Sequence, residues 1–262
     1  MNVSDQERLL SLILQEAEAC HLPFKFLIVS RSEPEFWKLF NQYSAFVDQN
    51  EIGPSTESNE DIQVFLRLEF SKIRNRPIYR QAMEGTEPHW PGDDIISGFV
   101  EKACGQFIYA TTVMKYVDDI GPESDEPDND VPIKRLEIIK QVLVPDHLTS
   151  PYGALDRLYK QVLDHSQNES KDKSHGQLLD IMSHVLCPLS IQGELANIVT
   201  NFATPFASNI ESLLGMSQGK VAIVLSRLYS VLSIPQCSNE VITRHHSSFE
   251  DFLTDPNRSG RY

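Results

Sequence analysis

The sequence has few cysteines, no long apolar run and far fewer basic than acidic residues. Its four cysteines are widely spaced among 262 residues, with no C-x-x-C pair and no cysteine–histidine cluster at zinc-ligand spacing. This pattern is typical of reduced thiols in a cytosolic protein rather than of a disulfide framework. No apolar run approaches the roughly 20 residues of a membrane span, and the start lacks the basic segment and cleavage site of a secretory signal. These absences predict a cytoplasmic protein with no membrane partner.

The charge balance argues against nucleic acid as a partner. The formal net charge is -14 at pH 7, and a chain this acidic repels phosphate backbones. The composition, 40% hydrophobic and 23% charged, is that of a globular protein with a substantial core.

The motifs that would hold a nucleotide and its metal are missing. A P-loop needs G-x-x-x-x-G-K-[ST], in which the backbone wraps the phosphates and the hydroxyl holds magnesium. Residues 215–221, GMSQGKV, have one residue too few between the glycines and valine in place of the hydroxyl. We interpret them as a loop before a helix. Asp118 and Asp119 end an amphipathic helix rather than the apolar strand of a Walker-B motif. The sequence therefore predicts no catalytic residues, no metal site and no enzyme activity of its own.

The pattern of apolar residues predicts a mainly α-helical fold. Helical stripes and end signals predict helices at 4–20, 62–73, 91–105, 107–120, 132–143, 151–165, 177–186, 191–199, 221–229 and 246–253. Residues 24–30, FKFLIVS, are apolar on both faces, which is typical of an interior strand in a parallel sheet. No other segment reads as its partner, so we interpret residues 1–50 as one helix and one strand left from a parallel α/β domain.

A two-stranded hairpin is predicted near the C-terminus. Residues 231–234 and 241–244 are short apolar runs separated by a turn. Helices followed by such a hairpin are the arrangement of a winged helix. The predicted organisation is an α/β remnant at 1–50, a helical subdomain at 51–120, an acidic linker and helix at 121–150, and a winged-helix subdomain at 151–262.

Arg31 is the candidate binding residue of the N-terminal region. In open parallel sheets ligands lie beyond the carboxyl ends of the strands, and Arg31 directly follows the predicted strand. Its guanidinium could present two donors to a phosphate. The alternative is a surface arginine that closes a strand, and the residues alone favour that alternative.

Six strings occur in the order found in one protein family: FKFLIVSRSEP, WPGDDI, KACGQFIYA, LDRLYKQVL, CPLSIQGELANIV and RHHSSFEDFLTDPNRSG. Nearly the whole chain resembles the C-terminal part of fungal NACHT-type signal-transduction (STAND) NTPases, without Walker A and Walker B. The resemblance implies a sensor strand, a helical lid subdomain and a winged-helix subdomain.

The resemblance also implies roles for single residues. Arg31 matches the sensor arginine that reads the γ-phosphate, and His246 matches the histidine that contacts the β-phosphate of ADP in the closed state. Gly105 and Phe107 match the lid segment near the adenine. ATP or ADP with magnesium is implied for a full-length relative, and no cofactor for this chain alone. From the residues alone, the alternative is that His246 caps a helix whose aromatic residues are core.

Three functions are compatible with these patterns. The first is a non-catalytic fragment of a nucleotide-dependent signalling switch that binds protein partners or itself, as part of self/non-self recognition. The second is a winged-helix nucleic-acid-binding protein, although its predicted recognition helix at 191–199 has no lysine or arginine. The third is an intact NTPase whose P-loop precedes residue 1 of a shortened gene model.

Overall fold

The computed structural model describes residues 3–19, 24–30, 34–50, 53, 55–118, 131–143, 152–168, 206–235, 240–260 and 262. The chain divides into two compact units, Met1–Gly53 and Pro54–Tyr262, named here the small unit and the large unit. The described residues are mainly helical, and their one sheet has two strands. The mainly α fold class is thus confirmed.

The small unit contains two packed helices. Helix α1, Val3–Glu18, and helix α2, Pro34–Gln42, meet through the buried side chains of Leu10, Leu14 and Phe36. The sequence did not predict α2, whose nine residues are too few for a clear helical period. Four partly buried side chains pack against the three buried ones, namely Leu39, Phe40, Tyr43 and Val47.

Residues 24–30 form no strand in this structure, which corrects the prediction of an interior strand. The segment is irregular and exposed, with Leu27 93% and Val29 78% accessible and Phe26 and Ile28 less so at 45% and 39%. A strand apolar on both faces is stable only between neighbouring strands that pair its backbone. Nothing in the described part of the chain provides such neighbours.

The large unit holds the main core. Its elements are α3, Thr56–Arg74; a 3-10 turn, Pro77–Tyr79; α4, Arg80–Met83; α5, Asp93–Ala103; α6, Phe107–Val117; α7, Val131–Lys140, with a 3-10 turn, Gln141–Leu143; α8, Gly153–Asn168; α9, Ala207–Leu214; α10, Lys220–Leu225, with a 3-10 turn, Ser226–Leu228; β1, Leu232–Ser233; β2, Thr243–Arg244; α11, Ser247–Thr254; and α12, Pro256–Ser259.

Helix α6 lies at the centre of the helical part. Its buried side chains cover most of its circumference, from Tyr109 to Val117, which is typical of a helix surrounded by other elements. Helices α3, α5, α7 and α8 pack around it. Ser55 caps α3 by accepting from the backbone N–H of Ser58 at 3.0 Å. Phe70 of α3 reaches the ring of Phe99 of α5 at 6.4 Å between ring centroids.

The hairpin prediction is confirmed. Strands β1 and β2 are antiparallel, with Leu232 opposite Arg244 and Ser233 opposite Thr243. The predicted helices at 4–20, 107–120, 132–143, 151–165 and 246–253 are also confirmed, within a few residues at each end. The predicted helices at 177–186 and 191–199 and most of the acidic linker lie outside the described residues.

None of the described helices combines the length and the apolar character needed to cross a bilayer.

Candidate functional site

The hairpin places two adjacent histidines at the start of α11. The backbone N–H of His245 donates to the carbonyl of Val231 at 3.0 Å, which extends the β1–β2 pairing by one residue. His246 then has φ -150° and ψ 147°, an extended conformation suited to the residue before a helix. The chain therefore changes from strand to helix at His246.

His246 caps α11 with its imidazole. The backbone N–H of Ser248 donates to Nδ1 of His246 at 3.1 Å, and the Ser248 Oγ lies 2.7 Å from the same nitrogen. The capping interpretation left open by the sequence is thus confirmed. A side-chain cap of this kind contributes about 1 kcal/mol to helix stability.

A buried tyrosine from α8 completes this contact. The Tyr159 hydroxyl lies 2.8 Å from Ser248 Oγ, although the two residues are 89 positions apart in the sequence. Both side chains are buried. Burial raises the pKa of Tyr159 to about 12, so the hydroxyl keeps its proton at neutral pH.

Aromatic packing anchors α11 to α8. The ring centroid of Tyr159 lies 5.0 Å from that of Phe249 and 5.5 Å from that of Phe252, in edge-on and tilted arrangements. All three rings are buried. Such pairs contribute roughly 0.5–1.5 kcal/mol each beyond the burial of their area. The helix that His246 caps is therefore packed against α8 through buried aromatic rings.

Charged and polar contacts also join α12 and Tyr262 to α8. Arg258 of α12 donates to both carboxylate oxygens of Asp156 at 3.1 and 2.7 Å, and its guanidinium lies over the Tyr152 ring. The hydrogen bond to Asp156 raises the pKa of Arg258. The Tyr262 hydroxyl donates to the carboxylate of Asp164. These bonds hold the C-terminal helix against α8.

An ion pair flanks His246 on the hairpin side. A guanidinium nitrogen of Arg244 lies 2.6 Å from the carboxylate of Glu250, with both side chains about three-quarters buried. The pair joins β2 to the first turn of α11. A carboxylate in that turn is also favoured by the helix dipole.

His245 has a different environment from its neighbour. Its Nε2 lies 2.8 Å from the carbonyl oxygen of Tyr229, so Nε2 carries a proton that it donates. Partial burial lowers the pKa of His245, and the nearby Lys115 lowers it further, while the bond to the carbonyl acts in the opposite direction. His245 therefore connects the hairpin to the preceding turn as a neutral ring.

Gly105 and Phe107, which the resemblance assigns to a lid segment, lie at a tight turn between α5 and α6. Cys104 and Gly105 both have positive φ, 47° and 75°, so the chain passes through the left-handed region at a non-glycine residue and then at a glycine. Phe107 then begins α6, half-exposed, with its ring edge-on to Phe65 at 5.8 Å. Phe107 thus lies on the surface of the helical layer, partly covered by α3.

The described contacts do not assemble the four residues carried over from the family into one site. Phe107 contacts Phe65, and His246 contacts Ser248. Gly105 lies in the turn before α6. Arg31 lies outside the described residues, as does most of the segment around it.

The loop that partly matches a P-loop has a carboxylate at its helical end. The backbone N–H of Val221 donates to Oε1 of the buried Glu211 at 3.1 Å. Gly215 and Gly219 have positive φ, as turns between helices require. The loop follows α9 rather than a strand, so its interpretation as a loop before a helix is confirmed. A buried carboxylate there would repel a phosphate.

Sequence reasoning missed the two residues that orient His246. By its sequence position, Ser248 is an ordinary residue of a first helical turn, and Tyr159 is a core position of α8. A serine two positions after a histidine at a helix start is a local signal that can be looked for. The distant Tyr159 gives no such signal.

In the described residues, no three or more His, Cys, Asp or Glu side chains are close enough together to hold a metal ion. No family model matches the chain, and neither a curated protein nor a solved structure matches it. The resemblance to NACHT-type proteins therefore stays a prediction.

Proposed function

We propose that this chain is a non-catalytic part of a NACHT-like, nucleotide-dependent signalling switch. In this proposal residues 51–120 act as the helical lid and residues 151–262 as the winged-helix subdomain. The six ordered strings support it, and so does a hairpin followed directly by a helix that begins after a histidine.

One observation carries the proposal. His246 lies where β2 becomes α11, and its ring is oriented by Ser248 on a helix anchored to α8. His246 is exposed at this position, so a ligand can reach it. A ring held in one orientation pays little entropy when it donates to a phosphate oxygen.

By itself the chain neither binds a nucleotide tightly nor hydrolyses it. Without a P-loop, a few contacts to a phosphate give only a dissociation constant in the millimolar range, about -4 kcal/mol. Tight nucleotide binding and hydrolysis belong to a longer relative that supplies the P-loop and magnesium. The functional partner of this chain is a protein or a second copy of itself, because the small unit exposes many apolar side chains.

A titration with ADP tests the role of His246. We expect NMR signals of the full chain to respond to millimolar ADP, and we expect His246→Ala to weaken that response about tenfold or more, since a hydrogen bond to a charged group is lost. The matched control is His245→Ala, which removes the neighbouring imidazole and keeps the ADP response.

The same preparation is assayed for phosphate release from ATP with magnesium. We expect none above background. Tight ATP binding with turnover would refute the non-catalytic assignment, and equal ADP responses of the wild type and His246→Ala would refute the role of His246.

A further inference from the structure

One side of helix α3 combines exposed apolar side chains with unpaired carboxylates. Val64 and Leu68, one turn apart, are 66% and 54% exposed. Glu57, Glu60 and Asp61 precede them at spacings that place all five side chains on the same side of the helix. Among the described residues, none of the three carboxylates has a hydrogen bond or an ion pair. These five residues are named here the α3 face.

Two basic side chains that follow on α3 are bound to other carboxylates. A guanidinium nitrogen of Arg67 lies 2.9 Å from the carboxylate of Asp93, and the Lys72 ammonium lies 2.6 Å from that of Glu69. Their positive charges are therefore compensated outside the α3 face. The carboxylates of the face keep their negative charge unpaired, which favours a positively charged partner.

A groove of about 360 Å³ lies beside this face, between α3 and α5. Glu60 belongs to both the face and the groove, Glu101 lines the groove from α5, and Val100 adds an apolar part to its wall. The Glu101 side chain has no bonded partner in the described part of the chain. Glu101 lies in the last turn of α5, where the helix dipole disfavours a carboxylate. The groove thus holds two like charges, and one of them does not stabilise its own helix.

Asn59 adds an unsatisfied acceptor to the same groove. Its Oδ1 is buried and accepts no hydrogen bond from any residue that the structure describes, and the residue lines the groove. A buried acceptor without a donor costs free energy. Two carboxylates and an amide oxygen together favour a ligand that is positively charged and donates several hydrogen bonds.

We propose that the α3 face and this groove dock a basic, partly apolar segment of a partner protein. An arginine side chain of that segment enters the groove, and its apolar side chains cover Val64 and Leu68. A guanidinium has five donors in a fixed plane, enough to reach carboxylates on two helices. Its methylene groups can pack on Val100. None of these residues belongs to the site around His246, so the inference does not depend on the nucleotide.

Other occupants fit this surface less well. Within the described residues, no three His, Cys, Asp or Glu side chains are close enough together to hold a metal ion. Nucleic acid would bring phosphates to unpaired carboxylates. A second copy of the chain has a formal net charge of -14 and brings mainly charge of the same sign.

Fluorescence anisotropy of the full chain tests the docking. The probe is a fluorescein-labelled peptide that carries one arginine between two leucines in an otherwise neutral sequence. We expect saturable binding that weakens as salt is added, because salt screens the attraction between exposed charges. Citrulline in place of the arginine keeps the shape without the charge and should weaken binding about tenfold or more. Equal binding of the citrulline peptide, or no saturable binding at about millimolar peptide, would overturn the inference.

Two double variants locate the bound peptide. Glu60→Gln with Glu101→Gln removes both carboxylates of the groove and should weaken binding about tenfold. Val64→Thr with Leu68→Gln removes the apolar part of the α3 face and should weaken it about three- to fivefold. All four side chains are exposed, so we expect an unchanged Tm in circular dichroism.

Matched controls change the same kinds of side chain elsewhere in the large unit. Glu84→Gln with Glu87→Gln changes the net charge by the same amount, and Leu213→Gln replaces another exposed leucine. Neither should alter peptide binding. Equal weakening in the Glu84 and Glu87 variant would mean general charge attraction and would overturn the inference.

Sedimentation distinguishes a partner protein from a second copy. We expect Glu60→Gln with Glu101→Gln to leave the oligomeric state of the chain unchanged. A dimer of the wild type that dissociates in this variant would assign the groove to a second copy and overturn the proposed partner.

Discussion

The small and the large unit differ in how much of their apolar surface they bury. The large unit has a continuous core that runs from Ile62 of α3 to Phe252 of α11. Among its described residues, the small unit has one cluster of three buried side chains. Its exposed large apolar side chains are Leu9, Leu12, Phe24, Phe26, Leu27, Ile28, Val29, Trp37 and Phe46.

This difference shows that an apolar sequence does not by itself form a core. Residues 24–30 are rich in apolar side chains and yet all of them are exposed, with Leu27 and Val29 more exposed than Phe26 and Ile28.

The largest expected effect comes from removing the small unit. A chain of residues 54–262 should give a several-fold higher soluble yield and still unfold cooperatively, because the exposed apolar segment is gone and the main core remains. Sedimentation of lysates and circular dichroism on heating measure both properties. In the full chain, Leu27→Lys with Val29→Thr should recover much of the gain. If the full and shortened chains were equally soluble, the exposed apolar side chains of the small unit would not be what limits the solubility of the chain.

A matched pair of phenylalanine substitutions should separate the two cores. Phe252→Ala empties a fully buried site in the large unit and should cost about 3–5 kcal/mol, roughly 6–20 °C in the Tm of the main transition. Phe36→Ala changes the small cluster and should leave that transition in place while reducing the helical signal at low temperature. Similar shifts of the main Tm in both variants would mean that the units unfold as one.

The smallest expected effect is a pH dependence that belongs to the large unit. The pKa of His245 is lowered by folding, so the folded state binds fewer protons than the unfolded state just below the usual histidine pKa of about 6.5. The neutral ring therefore contributes stability that is fully present above a pH of about 6.5 and is lost as the pH falls below that value and through the lower pKa of the folded state. His245→Gln keeps a donor to the Tyr229 carbonyl and should flatten the fall in Tm on acidification. We expect His245→Gln to have the same effect when it is made in the 54–262 chain. If the slope of Tm against pH is unchanged in the variant, the pH dependence comes from other groups.

The sequence predicted the helices with long apolar stripes and the hairpin near the C-terminus. These features depend on local spacing, as in the stripe that Ile62, Leu66 and Phe70 form on α3. It missed α2 and α9, Pro34–Gln42 and Ala207–Leu214, which are short and therefore have weak periodicity. It also assigned a strand to residues 24–30, because their composition favours a strand. The described residues provide no neighbouring strand to pair with this segment.

The candidate site was predicted only in part. His246 was singled out by the family resemblance and by its place before an apolar helix, and the structure shows that it caps that helix. The residues that orient it were not predicted. Neither was Glu211, whose carboxylate occupies the start of α10 where a phosphate-binding loop would leave room for an anion.

The amino-acid sequence by itself determined where helices and the hairpin form, since these depend on side chains a few positions apart. Only the tertiary structure decided which distant residues meet: Tyr159 with Ser248, Arg76 with Asp118, and Asp156 with Arg258. The physical reason is that such pairs form once the buried faces of several elements pack together, and no local pattern encodes which polar groups then become neighbours.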